Sequence, residues 1–309
     1  MSISATSPTT TCPVSVKNNT NVGEEEFKYI KFSPYRKQNP IKKSVYPKPK
    51  TKSTPSPLVT NGTFEIGVCN NCGIQGHRIK DCNEPIHSYG LIILDETKSN
   101  VLLVQRKDSY GYITLVNNEG IRSSDKEYVS GVCKSVTKSE KFKILNWDFE
   151  SLWNDVVNDP KTRKNKDKIL QSSTRFEKLN IKAIMSTIDE SLLSSETEWG
   201  FPKGRIKKHE QWIDCAKREA CEETNITIDD VKILCDVPFI ENRQGTDGKT
   251  YVNVYYLSMI NESGKKRWLS SAKKSNNEVH QSKFVPIVEL ETLMVDKIKL
   301  ISQIKRFIV

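Results

Sequence analysis

Gly204 to Ile226 reads GRIKKHEQWIDCAKREACEETNI, and three of its five acidic residues, Glu219, Glu222 and Glu223, recur at spacings of three and four. Those steps bring side chains together on one helix face. Carboxylates gathered in one small volume repel one another, and cations offset that repulsion. Oxygen ligands of this kind suit Mg²⁺ or Mn²⁺, hard ions that keep several waters and are completed by substrate phosphates. The helix is expected from about Gln211 to Thr224, with Ile213, Ala216 and Ala220 as its buried stripe and the glutamates opposite. Glu210, near the helix N-terminus, is placed to favour the dipole and to orient Arg218 by an ion pair. Lys203 and Arg205, flanking Gly204, are placed to clamp phosphate oxygens.

The rest of the chain bounds what such a site serves. With 309 residues, 28% charged and 36% hydrophobic, there is material for one large domain or two smaller ones. The longest apolar runs, Gly90 to Leu94 and Val101 to Val104, are too short to span a bilayer, and the polar N-terminus has no signal core. Eight cysteines, three of them clustered, do not read as a disulfide framework, and a cytosolic or nuclear setting is expected. The formal charge of +10 is uneven: Lys31 to Lys52 holds eight basic residues and no acids. Residues 1–65 are therefore expected to be a disordered basic arm, serving as a solubilising tail or as an RNA contact.

Next along the chain, Cys69-x2-Cys72-x4-His77-x4-Cys82 is the CCHC zinc-knuckle spacing. Three thiolates and one imidazole close a tetrahedral structural Zn²⁺ site with no position open for catalysis. Knuckles of this type point toward single-stranded nucleic acid, though Ile74 and Ile79 stand where base-stacking aromatics are common. Tyr89–Asp95 and Asn100–Gln105 read as a β-hairpin. From Ser123 to Leu192, Trp147, Phe149, Leu152, Trp153 and Val156 recur at helical spacing, followed by Phe176, Leu179, Ile184 and Ile188, which indicates an inserted helical subdomain. Strands are expected at Ile233–Ile240 and Tyr251–Ile260, joined by a turn at Gly245–Gly248, and one or two amphipathic helices at Ile287–Ile308. The divisions so read are arm 1–65, knuckle 66–85, first sheet part 86–120, helical insert 121–193 and second sheet part 194–309.

Gly204, five residues, Glu210, seven residues, Arg218-Glu219-Ala220, one residue, Glu222-Glu223, one residue, then Asn225 and Ile226 resembles the Nudix box. Asn225 stands where that family has glycine, and Asn is the residue that best tolerates a left-handed helix end. Further motifs resemble the viral Nudix mRNA-decapping enzymes of poxviruses, asfarviruses and giant viruses over residues 69 to 300. They are His87–Gly90 (HSYG), Leu103–Lys107 (LVQRK), Thr137–Glu140 (TKSE), Asp148–Trp153 (DFESLW), Trp199–Gly204 (WGFPKG) and Thr246–Tyr251 (TDGKTY), with Tyr255-Tyr256. A knuckle directly before the fold resembles the giant-virus members in particular. The segment after Tyr112 lacks the aromatic-rich glycine loop associated with the family.

The resemblance implies an α+β fold, the Nudix α/β/α sandwich, with capped mRNA as partner and the host cytoplasm or virus factory, or the virion, as location. It implies cleavage of the cap pyrophosphate to release 7-methyl-GDP and leave 5′-monophosphate RNA. Mg²⁺ or Mn²⁺ on Glu219, Glu222 and Glu223 would serve that chemistry. Glu223 is the first choice of proton acceptor, Glu222 shares the catalytic site, and Glu278 is the second choice, since a downstream glutamate often serves in Nudix enzymes. A cationic methylated guanine calls for aromatic faces and an acid, for which Tyr112, Tyr251 and Glu241 are candidates. The rivals are a Nudix enzyme for diphosphoinositol or dinucleoside polyphosphates and a non-catalytic RNA-binding module.

Overall fold

The hairpin at the start of the sheet is set by one buried carboxylate. β1 (Ile86–Leu94) and β2 (Asn100–Arg106) turn around Asp95, whose Oδ1 accepts the backbone N–H groups of Ser99 and Asn100, both at 3.2 Å. Lys265 pairs with its other oxygen at 3.0 Å. The computed structural model describes residues 69, 71, 77, 81–119, 121, 126–157, 163–207, 210–245, 249–271 and 278–308. The expected disordered arm, Cys72 and the turn residues Thr246 to Gly248 lie outside the described residues.

β1 and β2 pair only beside that turn, at Ile93↔Leu102 and Leu94↔Val101. Further along, each takes a different partner from one later segment. β3 (Trp199–Gly200) pairs with β2 and β4 (Lys203–Gly204) with β1, while the Leu91 N–H donates to the Pro202 carbonyl at 3.1 Å. A Cβ at Gly90 would fall 2.3 Å from that carbonyl oxygen, so the wedge can enter only because residue 90 has none.

The remaining strands complete a mixed eight-stranded sheet. β7 (Thr250–Ile260) runs parallel to β1 from Ile86↔Tyr251 to Leu94↔Met259. β5 (Val231–Ile233) and β6 (Phe239–Gln244) lie antiparallel to β7, and β8 (Val279–Pro286) antiparallel to β2. The expected strand 233–240 is thus two strands, parted by a segment containing Pro238, which has no N–H to give a ladder. β8 and the helix α8 (Glu262–Ser271) were not expected from the sequence.

Alternation along β1 sorts the two faces. Ile92 and Leu94, with Val101, Leu103 and Leu257, pack against Leu300, Ile301 and Ile304 of α10 (Ile298–Ile308). Tyr89, Leu91 and Ile93 pack against Cys215, Ala216 and Ala220 of α7 (Trp212–Thr224), with Trp268 of α8 beside them. The small side chains of Ala216 and Ala220 let α7 lie close on the sheet. The result is an α/β/α sandwich, a mixed sheet with helices on both faces. Before α10 the chain makes a short α-helix, α9 (Leu290–Leu293), flanked by 3₁₀ turns at Ile287–Glu289 and Val295–Lys297. Among the described residues no helix is long and apolar enough to cross a membrane.

Between β2 and β3 six helices build a lobe: α1 (Tyr110–Asn117), α2 (Lys126–Cys133), α3 (Lys138–Asn146), α4 (Phe149–Val156), α5 (Arg163–Lys178) and α6 (Ile181–Thr187). Its own core contains Tyr112, Leu115, Ile144, Leu152, Phe176 and Met185. The insert therefore begins near Ser109 rather than at residue 121. The cause is local and tertiary at once. Ser109 caps α1 by accepting the Tyr112 N–H at 3.0 Å, and buried Glu140 accepts the N–H groups of Ser109 and Thr137, both at 2.7 Å, joining the starts of α1 and α3. The two ends of the lobe meet: the Arg106 N–H donates to Glu198 O at 3.1 Å, and the Thr197 hydroxyl to Arg106 O at 2.6 Å.

Candidate active site

The wedge and α7 together place the acidic residues. Gly204, paired with Tyr89 of β1, faces α7 so closely that a Cβ would lie 2.2 Å from the Glu219 carboxyl carbon. One step back, the Lys203 N–H donates to Glu223 Oε2 at 3.0 Å. The helix ends at Asn225, which adopts φ 59°, the left-handed conformation in which Asn substitutes for glycine at little cost.

Arg218 is the hub of the exposed side. Its Nε and Nη2 bind both oxygens of Glu210 at 2.6 and 2.9 Å, while Nη1 reaches Glu219 at 2.6 Å and Glu222 at 3.0 Å. The bidentate bond holds the Glu210 carboxyl down at about 2, because the guanidinium favours its charged form. Arg218 Nη2 also donates to the Arg205 carbonyl at 3.1 Å, fixing the loop that carries the exposed Arg205 side chain. Lys207 reaches Glu222 at 3.2 Å.

Deeper in, burial dominates. It pushes the Glu223 carboxyl up to about 7 against the pull of Lys203. Burial also raises Glu219, opposed by Arg218 and reinforced by Glu222 and Glu278. Burial lowers the pKa of the Lys203 ammonium, opposed by the charges of Glu223 and Glu241 and reinforced by those of Arg106 and Lys297. Glu278 enters this cluster from the far end of the chain. Its carbonyl accepts the Lys107 N–H at 2.9 Å, which sets residue 278 beside the end of β2, and its charge presses on both Glu219 and Glu223. The fit to a divalent cation is chemical, an all-carboxylate donor set under a glycine whose missing side chain leaves room for Glu219; in this structure Glu219 and Glu222 are turned onto Arg218 and Glu223 onto the Lys203 N–H.

The cap-base candidates fare differently. Tyr112 is in α1 rather than a strand, fully buried in the lobe core, with its hydroxyl on Asp155 at 3.0 Å; it has no face to offer a base, and that assignment is withdrawn. Tyr251 and Glu241 share a face of the β6–β7 pair, where Arg243 lies opposite Tyr251 and Glu241 opposite Asn253. Glu241 is already engaged, by Lys297 at 2.9 Å and by the Asn253 amide at 2.8 Å. Lys297 and Asn253 escaped the sequence reading because only the β6–β7 register and the packing of residues 295–297 bring them to Glu241.

In the knuckle segment, the ligand atoms of Cys69, His77 and Cys82 lie within 4.8 Å of one another, close enough for one ion. Asn71 braces them. Its Nδ2 donates to Cys82 Sγ at 3.4 Å and to the Pro85 carbonyl at 2.9 Å, and its Oδ1 accepts the His87 N–H at 3.4 Å.

The NUDIX domain model matches residues 185–304. The mRNA-decapping protein g5R of African swine fever virus (isolate Pig/Kenya/KEN-50/1950) is 28% identical over 186 residues, spanning 57% of this chain and 74% of that protein. A protein of Acanthamoeba polyphaga mimivirus, named as a proposed mRNA-decapping protein, is 24% identical over 293 residues, spanning 63% of this chain and 81% of its own length. Among solved structures, a C. elegans Ap4A hydrolase binary complex aligns at 14% identity and a TM-score of 0.36, covering 72% of this chain and 93% of that one.

Proposed function

We propose that this Nudix hydrolase, related to the viral mRNA-decapping proteins, cleaves the pyrophosphate linkage of the mRNA 5′ cap, releasing 7-methyl-GDP and leaving 5′-monophosphate RNA. The observation that carries the reading is the gathering of Glu219 and Glu223 of α7 against Gly204 and Lys203 of the wedge, in a chain whose viral relatives are named for decapping. Glu219, Glu222 and Glu223 would hold Mg²⁺ or Mn²⁺, which supply neutralisation of phosphate oxygens and a more acidic water. Glu223, pushed up to about 7 by burial, takes a proton near neutrality more readily than an exposed carboxylate does, which suits a general base. Glu278, whose charge raises both Glu219 and Glu223, is the second candidate for that role. Arg218 fixes the orientation of Glu210, Glu219 and Glu222, and Lys203 together with Arg205 offers positive charge to the phosphates.

Product analysis tests the reading. Purified protein with Mg²⁺ or Mn²⁺ is expected to release 7-methyl-GDP from cap-labelled RNA. Turnover of diphosphoinositol or dinucleoside polyphosphates with none from capped RNA would overturn it, and binding of RNA with no turnover of any of these would favour a non-catalytic module. Cys69, Cys72, His77 and Cys82 are proposed to hold one structural Zn²⁺, supported by the convergence of the three described ligands. Elemental analysis is expected to find one zinc per chain, lost in Cys82→Ser; full retention in that variant rejects the site.

A further inference from the structure

Beside the metal-site glutamates runs a row of aromatic rings that the chemistry above leaves unused. His87 and Tyr89, two residues apart on β1, lie with ring centroids 6.3 Å apart and planes 17° from parallel. Tyr89 in turn stacks on Trp212 at 5.6 Å and 19°. Tyr89 is buried, His87 half-buried, and Trp212 is 45% exposed. The row is tied to the active site at two points. Tyr89 is the β-ladder partner of Gly204, the glycine that admits Glu219. Trp212 opens α7 and stands seven residues before Glu219, hence about 10 Å away on the same helix face.

We infer that the exposed Trp212, backed by the buried Tyr89 and the half-buried His87, forms a stacking platform for single-stranded RNA, which receives unpaired nucleotides downstream of the cleaved linkage. A π-face accepts any base, and only an unstacked strand presents bases to it, so the platform selects single strands without selecting sequence. Charge agrees with this occupant: the exposed Arg205 and Lys207 lie in the loop joining β4 to α7, which suits a polyanion. The row also begins at the residue whose N–H is held by Asn71 of the CCHC segment. The CCHC sequence offers Ile74 and Ile79 where stacking aromatics are common, whereas the rings that begin at His87 do stack.

The inference rests on the proposed RNA substrate, and its test separates the two. Binding of the full chain to unstructured, uncapped oligouridylate is measured by fluorescence anisotropy, alongside a duplex RNA of equal charge. Trp212→Ala is expected to weaken single-strand affinity about tenfold, Trp212→Phe to restore most of it, and neither to change duplex affinity. On capped substrates, Trp212→Ala is expected to raise KM for a capped single-stranded RNA while leaving turnover of the cap dinucleotide 7-methyl-GpppA unchanged, which also shows that the variant folds. Unchanged oligouridylate affinity in Trp212→Ala, or equal losses for single strand and duplex, overturns the platform. Absence of cap hydrolysis by the unmodified protein sinks the decapping reading and leaves the binding comparison to decide the platform by itself.

Discussion

Glu223→Gln is expected to lower cap hydrolysis about a thousandfold while leaving RNA affinity within a factor of two or so of the unmodified protein. The substitution keeps an oxygen that can accept the Lys203 N–H, so the wedge stays in place. What disappears is the negative charge and the proton-accepting capacity of a carboxyl that burial pushes up to about 7. Single-turnover measurement of 7-methyl-GDP release, beside filter binding of the same RNA, checks both halves. Near-normal hydrolysis by Glu223→Gln, together with loss of activity in Glu278→Gln, would transfer the base role to Glu278.

The largest expected change in stability comes from Arg218→Ala. One guanidinium, with its side chain 20% exposed, is bonded to Glu210, Glu219 and Glu222, and its removal leaves carboxylates crowded with no cation between them. Breaking such a partly enclosed ion network by deleting one partner costs roughly 3 kcal/mol. Arg218→Lys should recover little, because an ammonium cannot reproduce the fork that grips both oxygens of Glu210. Thermal melting in a chelator is expected to show the full loss, and excess Mg²⁺ to narrow it, since bound cations take over the neutralisation. An equal loss with and without Mg²⁺ would mean that the carboxylates are not where cations bind.

What the sequence reveals about this molecule depends on how local each determinant is. The α7 site is local: three glutamates within five positions, a glycine ahead and an asparagine behind are all read from one stretch, and the β1–β2 hairpin is similarly compact. Tyr112 shows the opposite case. Its neighbours Ile113, Thr114 and Val116 favour a strand by composition, yet Ser109 caps a helix there and Ile144, Leu152 and Phe176, all distant in sequence, bury it. β8 is equally opaque, since only Val279 and Val285 of its eight residues are buried and what makes it a strand is its pairing with β2. The same pairing brings Glu278 to the site. Metal ligands on one helix are visible in a motif, whereas residues recruited through sheet register become visible only with the fold.

The wedge between β1 and β2 also governs the order of assembly. β3 and β4 can enter only after every residue from Lys107 to Thr197 has been synthesised and its two ends have been brought within hydrogen-bonding distance. For an open coil that meeting carries a chain-closure entropy that grows with the logarithm of its length. Here the intervening chain has a core of its own and short-range helical contacts of the kind that form quickly, which lowers the closure cost of bringing Glu198 to Arg106. The helical lobe is thus the clasp of the sheet: closing its two ends is what brings Gly204 to Tyr89 of β1 and Gly200 to Val104 of β2.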